Sequence, residues 1–154
     1  MQLSNIYLNN FKNHLESNFD LIDGINCFVG KNGIGKTNVL DAIHYLCLTK
    51  SYYNSSDALN INFDNDYFTL KGNFIKEEDN YELICSLSKN TNKIIKINGK
   101  RYKRFSDHIG KFPVVIISPT DSNLIIEGPD VRRRYLNSSI SQFDNNYLTN
   151  LIEY

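Results

Sequence analysis

The chain has 154 residues, enough for one domain with a substantial core and too few for two ordinary domains. Hydrophobic residues make up 41% of it and charged residues 22%, a globular composition that excludes a disordered chain, a collagen and a coiled coil. The formal net charge is zero, with 17 cationic and 17 anionic side chains, so overall charge indicates no class of partner. No apolar run reaches the roughly 18 residues needed to cross a bilayer, and no secretory signal opens the sequence.

Two segments of alternating pattern begin the chain. Ile6 and Leu8 alternate with polar neighbours, and residues 15–21 place apolar and polar side chains on opposite faces. This alternation predicts two strands that form an N-terminal hairpin. After a turn at Asp23-Gly24, residues 25–29 form a nearly continuous apolar run, which predicts a short strand in the buried centre of a sheet.

Helical spacing follows, and then alternation returns. Apolar side chains spaced three and four residues apart predict a helix over residues 36–48. Alternating segments predict strands from residue 67 to 97, with a polar turn at 77–80, and the Asn98-Gly99 pair predicts a tight hairpin with a return strand over 101–104. We also expect a buried strand over 114–117, a helix from Pro129 to about residue 142, and a further helix from Asp144 onward.

The three cysteines, Cys27, Cys47 and Cys85, lie far apart in the sequence, each in an apolar neighbourhood. A zinc site needs closely spaced Cys or His pairs, which this sequence lacks. The cysteines therefore predict reduced thiols in the core of a cytoplasmic protein.

One motif carries clear chemistry, and it comprises Gly30, Lys31, Asn32, Gly33, Ile34, Gly35, Lys36 and Thr37. It matches the phosphate-binding pattern G-x-x-x-x-G-K-[ST], between a predicted strand and a predicted helix. Glycines allow backbone N–H groups to converge on an anion, and the helix adds its positive dipole end. We therefore expect all eight residues to bind ATP, with Lys36 at the β- and γ-phosphates and the Thr37 hydroxyl on Mg²⁺.

The order of the predicted elements narrows the class of P-loop protein. A hairpin before the loop and antiparallel strands after its helix are typical of ABC-type ATPase heads. Residues 8–14 (LNNFKNH), 24–26 (GIN) and 29–43 (VGKNGIGKTNVLDAI) resemble the heads of the SMC, Rad50 and RecF group. Residues 118–137 (SPTDSNLIIEGPDVRRRYLN) are similar to a stretch typical of the RecF family. The chain thus resembles the N-terminal portion of that family.

This resemblance implies an α/β fold of the P-loop NTPase class, similar to an ABC-ATPase head, with an N-terminal hairpin and an antiparallel β subdomain. It implies a P-loop core over about 1–50 and 110–120, the β subdomain over about 65–105, and the start of a helical lobe over about 120–154. The signature motif and the acidic Walker B strand of such heads have no match here. We therefore expect a truncated head, without catalytic residues of its own, that binds ATP weakly, hydrolyses little and does not dimerise alone.

The resemblance also implies a function for the full-length protein. RecF-like proteins are ATPases that form ATP-dependent homodimers and bind DNA at gaps and single-strand/double-strand junctions. With RecO and RecR they promote RecA loading in recombinational repair, replication restart and the SOS response. The alternatives are the head of another SMC- or Rad50-type ATPase, a P-loop phosphotransferase, and a nucleotide-responsive interaction module without useful catalysis.

Other residues are weaker candidates. The resemblance implies that Lys12 and Asn13 lie near the nucleotide; the alternative is that they form an ordinary polar hairpin turn. It also implies that Asp121 couples the nucleotide to the lobe interface; the alternative is that Asp121 only caps a helix. An acid-free basic run predicts a hairpin that contacts DNA phosphates, although such runs are often only solvated faces. Its cations are Lys93, Lys96, Lys100, Arg101, Lys103 and Arg104.

Overall fold

A computed structural model describes residues 1–154, except for the side chains of Thr120, Asn123 and Leu124. Its centre is one fully antiparallel sheet of six strands in the order β2-β1-β3-β4-β5-β6. The strands are β1 Gln2–Phe11, β2 His14–Asp20, β3 Tyr67–Lys76, β4 Asp79–Ser88, β5 Thr91–Ile97 and β6 Lys100–Arg101. The helices are α1 Lys36–Leu48, α2 Asn123–Ile126, α3 Pro129–Ile140 and α4 Asn145–Glu153, with short 3₁₀ turns at Asp57–Asn60, Phe105–Asp107 and Pro119–Ser122.

The predicted N-terminal hairpin is confirmed, and its first strand lies inside the sheet. β1 pairs with β2 through Ile6↔Phe19 and with β3 through Leu8↔Leu70. Because β1 has a strand on each side, Ile6 and Leu8 are fully buried. The hairpin turn is tight, and Lys12 lies in it with a φ of 53°.

The core lies between one face of the sheet and α1, whose predicted bounds are confirmed. Val39, Ala42, Tyr45 and Leu46 of α1 are buried against side chains from β1, β3, β4 and β5. The rings of Phe11, Tyr45 and Phe68 meet edge to face, with centroids 5.2–6.0 Å apart, a favourable aromatic arrangement. Each fully buried large side chain stabilises the fold by about 1.5–3 kcal/mol, so this packing fixes α1 on the sheet.

Two predicted buried strands are wrong. Residues 25–29 and 114–117 have no strand structure, and Ile25, Val29 and Ile117 are 87%, 90% and 84% exposed. Both runs have strand-like composition, but the sheet ends at β2 and β6, and neither run pairs with a strand in the described part of the chain. Without a partner for its backbone, an apolar run cannot form a strand. Cys27, in the first run, is consequently exposed rather than in the core.

Smaller differences concern the ends of elements. β6 spans only Lys100–Arg101, shorter than the return strand expected over 101–104, and α3 ends at Ile140. The predicted helix starts are confirmed: Pro129 occupies the first turn of α3, and the Asp144 carboxylate caps α4 by accepting from the backbone N–H groups of Asn146 and Tyr147 at 2.8 and 3.0 Å.

Candidate nucleotide-binding site

The loop of residues 30–35 has a backbone that only glycine adopts readily. Gly33 and Gly35 have φ values of 82° and 105°, in the left-handed region where a side chain is strained. A Cβ on Gly35 would also lie 2.5 Å from Nε2 of His14. Gly35 is the N-cap of α1, so the loop runs directly into the helix without a break.

The loop offers free donors to an anion. The backbone N–H groups of residues 31–33 and 35 donate to no acceptor within the described part of the chain. No side chain caps the start of α1, and no acidic residue occupies its first turn. Unpaired N–H groups and a positive helix end together form an anion-binding concavity.

Lys36 lies across this loop. Its Nζ donates to the backbone carbonyls of Gly30 and Lys31, both at 2.8 Å. These bonds hold the ammonium beside the free N–H groups, and an ammonium has three donors, so one remains for a ligand. The side chain of Thr37, one residue into α1, is exposed at the mouth of the loop. Lys36 and Thr37 therefore both stand at the start of α1, beside the free N–H groups of the loop.

Asn13 contacts the loop directly, and so does His14, which the sequence did not single out. Nδ2 of Asn13 donates to the carbonyl of Gly33 at 3.1 Å, and Nε2 of His14 lies 3.0 Å from the carbonyl of Gly35. Asn38 of α1 donates to Oδ1 of Asn13 at 2.7 Å. No spacing rule indicates these contacts, because the partners are 20 or more residues apart and meet only in the folded sheet.

Lys12 has an internal partner. Its Nζ lies 2.5 Å from Oδ2 of Asp41, a fully buried carboxylate on α1. Asp41 also accepts from the Ser51 hydroxyl at 2.6 Å and from the Tyr52 backbone N–H at 2.7 Å. These bonds compensate the cost of burying the charge. In this structure Lys12 therefore ties the hairpin turn to α1 rather than to the phosphate loop.

Asp121 belongs to the same connected set of side chains. It accepts a hydrogen bond from the Tyr52 hydroxyl and another, at 2.7 Å, from the backbone N–H of Ser118. The bond from Tyr52, followed by that from Ser118, lowers the pKa of the Asp121 carboxyl below its ordinary value, because both stabilise the charged form. Asp121 thus reaches α1 through Tyr52 and Asp41, and it also closes its own 3₁₀ turn.

The basic run is divided by the fold. Lys93 points to the core side of β5, pairs with Asp57 at 2.7 Å and donates to the Thr49 carbonyl at 2.5 Å, with its side chain 9% exposed. Its ammonium also lies over the ring of Tyr45. Lys93 therefore differs from the other cations of the run, because its charge is already paired with Asp57 and its side chain is nearly buried.

The remaining five cations of the run are exposed. Lys96 and Arg101 are cross-strand neighbours on β5 and β6, and Arg104 pairs with Asp107 at 3.4 Å. Lys96, Lys100, Arg101 and Lys103 have no ion pair with any described residue. Arg101 and Lys103 line a recess of about 820 Å³ beside Phe105. We call the surface formed by Lys96, Lys100, Arg101, Lys103 and Arg104 the basic edge.

Among the described residues, His, Cys, Asp and Glu side chains form no group of three that could hold a metal ion. None of the described helices is long and apolar enough to cross a membrane.

The fold and the loop define an ATPase domain: residues 1–153 match the family described as AAA ATPase domain, and the chain belongs to that family. Individual relatives are RecF proteins. The chain is 49% identical over 154 residues to the DNA replication and repair protein RecF of Flavobacterium johnsoniae and 44% identical to that of Parabacteroides distasonis. It covers 43% and 42% of those proteins, so it spans less than half the length of the curated relatives it matches.

Solved structures agree with this assignment. A structure of the recombination mediator protein RecF with ATP superposes with a TM-score of 0.92 at 34% identity, covering 99% of this chain and 42% of that one. An SMC ATPase structure superposes with a TM-score of 0.71 at 20% identity, covering 91% and 99%, which supports the fold alone. The resemblance to the RecF family and the ABC-head-like fold are both confirmed.

Proposed function

We propose that this chain is the ATP-binding portion of a RecF-like DNA-repair ATPase and that residues 30–37 bind ATP with Mg²⁺. The observation that carries the proposal is the glycine-rich loop, whose unpaired N–H groups lie beside the Lys36 ammonium at the start of α1. A related structure contains RecF with ATP, which supports the choice of nucleotide.

Each part of the site has a separate task. The loop N–H groups and the α1 N-terminus bind phosphate oxygens, and Lys36 balances their negative charge. The Thr37 hydroxyl is the protein ligand for Mg²⁺, and the ion when bound neutralises charge that develops on the β- and γ-phosphates. The described residues 30–37 include no carboxylate that could serve as a general base, so the site is built to bind and orient the nucleotide.

The Lys36→Ala change tests the nucleotide site. A ligand that binds only the folded state at 100 times its Kd adds about 2.7 kcal/mol of stability, so MgATP should raise the melting temperature of the wild-type chain. We expect no such rise for Lys36→Ala, whereas Lys50→Ala, an exposed lysine just after α1, should respond as the wild type does. Equal MgATP stabilisation of wild type and Lys36→Ala would refute the site.

The same family relationship supports a proposal for the function of the whole protein. The relatives are named DNA replication and repair proteins, and one related structure is described as a mediator in the RecFOR pathway. We infer that the whole protein is a cytoplasmic ATP-dependent homodimer that binds DNA at gaps and junctions. With RecO and RecR it would promote RecA loading in recombinational repair, replication restart and the SOS response.

The basic edge is the proposed DNA contact. Four of its five cations have no internal ion pair among the described residues, so their charges are available for phosphates. Binding of duplex DNA releases counterions, and log K falls with log[salt] by about 0.9 per neutralised phosphate. The Lys100→Ala/Lys103→Ala double variant should therefore weaken DNA binding and reduce this slope by up to about 1.8.

Fluorescence anisotropy with a labelled gapped duplex, repeated at several salt concentrations, measures this effect. Lys76→Ala at the far end of β3 is the matched control, since it removes an exposed lysine outside the basic edge, and its slope should equal that of the wild type. If the double variant keeps the wild-type slope, DNA does not bind at the basic edge.

A further inference from the structure

We propose that His14, together with Asn13, is a positioning residue for the phosphate loop. These two side chains stand on the turn between β1 and β2 and hold two loop carbonyls, those of Gly35 and Gly33. The inference rests on the proposed nucleotide site. It adds that these two side chains keep the loop in its binding conformation when no ligand is bound.

The effect on the N–H groups follows from peptide geometry. In a planar trans peptide unit the C=O and the next residue's N–H point in opposite directions. Holding the Gly33 carbonyl on the hairpin side therefore turns the N–H of Ile34 away from the hairpin. Holding the Gly35 carbonyl does the same for the N–H of Lys36. The turn thus fixes the orientation of the peptide unit between Gly33 and Ile34. It also adds a bond to the Gly35 carbonyl, which accepts from the backbone N–H groups of Asn38 and Val39 at 2.9 and 3.2 Å.

The imidazole of His14 is held on several sides. Because a carbonyl can only accept, Nε2 carries the hydrogen and donates to Gly35. Nδ1 lies 2.8 Å from the hydroxyl of Ser17 on β2, and the ring meets Phe19 edge to face at 6.3 Å. His14 is also paired with Phe11 in the β1–β2 ladder. The donor is therefore fixed by the sheet and not by the phosphate loop.

Asn13 extends the same contact into the helix. Its amide nitrogen donates to Gly33 at 3.1 Å, while its amide oxygen accepts from Asn38 in the first turn of α1 at 2.7 Å. Loop and helix start are thereby joined to one side chain. The fit is close: a Cβ on Gly35 would lie 2.5 Å from His14 Nε2 and 2.6 Å from Asn13 Oδ1, so the motif's glycine leaves the space that this contact occupies.

Two substitutions separate positioning from general stability. His14→Phe retains a ring for the contact with Phe19 but loses both hydrogen bonds, whereas His14→Gln retains a side-chain N–H donor at a similar reach. Leu83→Ala removes a fully buried side chain on β4, far along the sheet from the loop, and serves as the control for destabilisation alone. ATP affinity is measured by titration calorimetry with Mg²⁺, and the urea midpoint is measured without nucleotide.

We expect His14→Phe to bind ATP roughly tenfold more weakly, because the loss of hydrogen bonds that orient a site has an effect of this size. His14→Gln should recover most of the lost affinity. Leu83→Ala should lower the urea midpoint more than His14→Phe does and yet bind ATP with wild-type affinity. Wild-type ATP affinity in His14→Phe would overturn the proposal, and so would a loss of affinity that follows the urea midpoint across all three variants. Lys36→Ala is measured alongside: if it binds ATP normally, the nucleotide site itself is wrong, a result distinct from failure of the positioning role.

Discussion

At the scale of single residues, two lysines show that the fold determines which charges are paired inside the protein. The sequence predicts that Lys12 and Lys93 contact ligands, but Lys12 pairs with Asp41 and Lys93 pairs with Asp57. Asp41 is fully buried, so removing Lys12 leaves an uncompensated buried charge, which typically costs about 3–5 kcal/mol. These lysines are therefore structural in this conformation, whereas Lys36 and four of the five cations of the basic edge have no ion pair with any described residue.

The cysteines give a prediction at the same scale. Burial raises the pKa of the Cys47 and Cys85 thiols to about 12, so neither ionises at pH 8, and only the thiolate reacts. Cys27 is exposed. We therefore expect a native-state thiol titration with a chromogenic disulfide reagent at pH 8 to find one fast-reacting group.

The Cys27→Ser variant is the control for this titration and should show no fast reaction, whereas all three thiols of the wild type should react in denaturant. Fast native-state reaction of a second thiol would contradict the buried positions of Cys47 and Cys85.

At the scale of elements, the apolar runs 25–29 and 114–117 differ most from expectation. A strand's stability comes from its neighbours, and a backbone without partners gains nothing from extended geometry. The second run is hydrogen-bonded at its first residue: the side chain of Gln142, in the turn between α3 and α4, accepts from the N–H of Val114 at 2.9 Å and donates to its carbonyl at 3.2 Å.

Hydrogen exchange tests this difference between elements. Amides of residues 25–29 and 115–117 should exchange fast, because no described atom accepts from them, while β4, paired on both sides with β3 and β5, should be strongly protected. Mass-spectrometric exchange of the 154-residue chain resolves these segments. Protection of residues 25–29 equal to that of β4 would show that the run is paired after all.

At the scale of the whole molecule, one sheet joins parts that are distant in the sequence. Pairing of β1 with β3 joins residues 60 to 73 positions apart in the sequence, from Asn9↔Thr69 to Gln2↔Ile75. It brings the hairpin turn to the phosphate loop and α1 to the core. Through Asp41 and Tyr52, α1 is connected in turn to Asp121, just before the C-terminal helices. The candidate site is therefore a feature of the tertiary structure, although its motif is continuous.

Features that depend on local backbone chemistry could be predicted from the sequence. The glycine pattern of residues 30–35 requires left-handed turns, and Asn98-Gly99 closes the β5–β6 hairpin. The spacing of Val39, Ile43 and Leu46 predicts the side of α1 that packs against the core. Each of these follows from interactions within a few residues, which is why the motif, the helix and the hairpins were predictable.

Long-range packing determines which side chains surround the loop and which charged side chains have no internal partner. His14 on Gly35, Lys12 on Asp41 and Lys93 on Asp57 are contacts across 21, 29 and 36 residues. The same holds for the apolar runs 25–29 and 114–117, whose composition suits a strand but whose pairing depends on what lies beside them. A periodic pattern indicates which secondary structure a segment is able to form. Whether that structure forms depends on the segments that pack or pair with it in the fold.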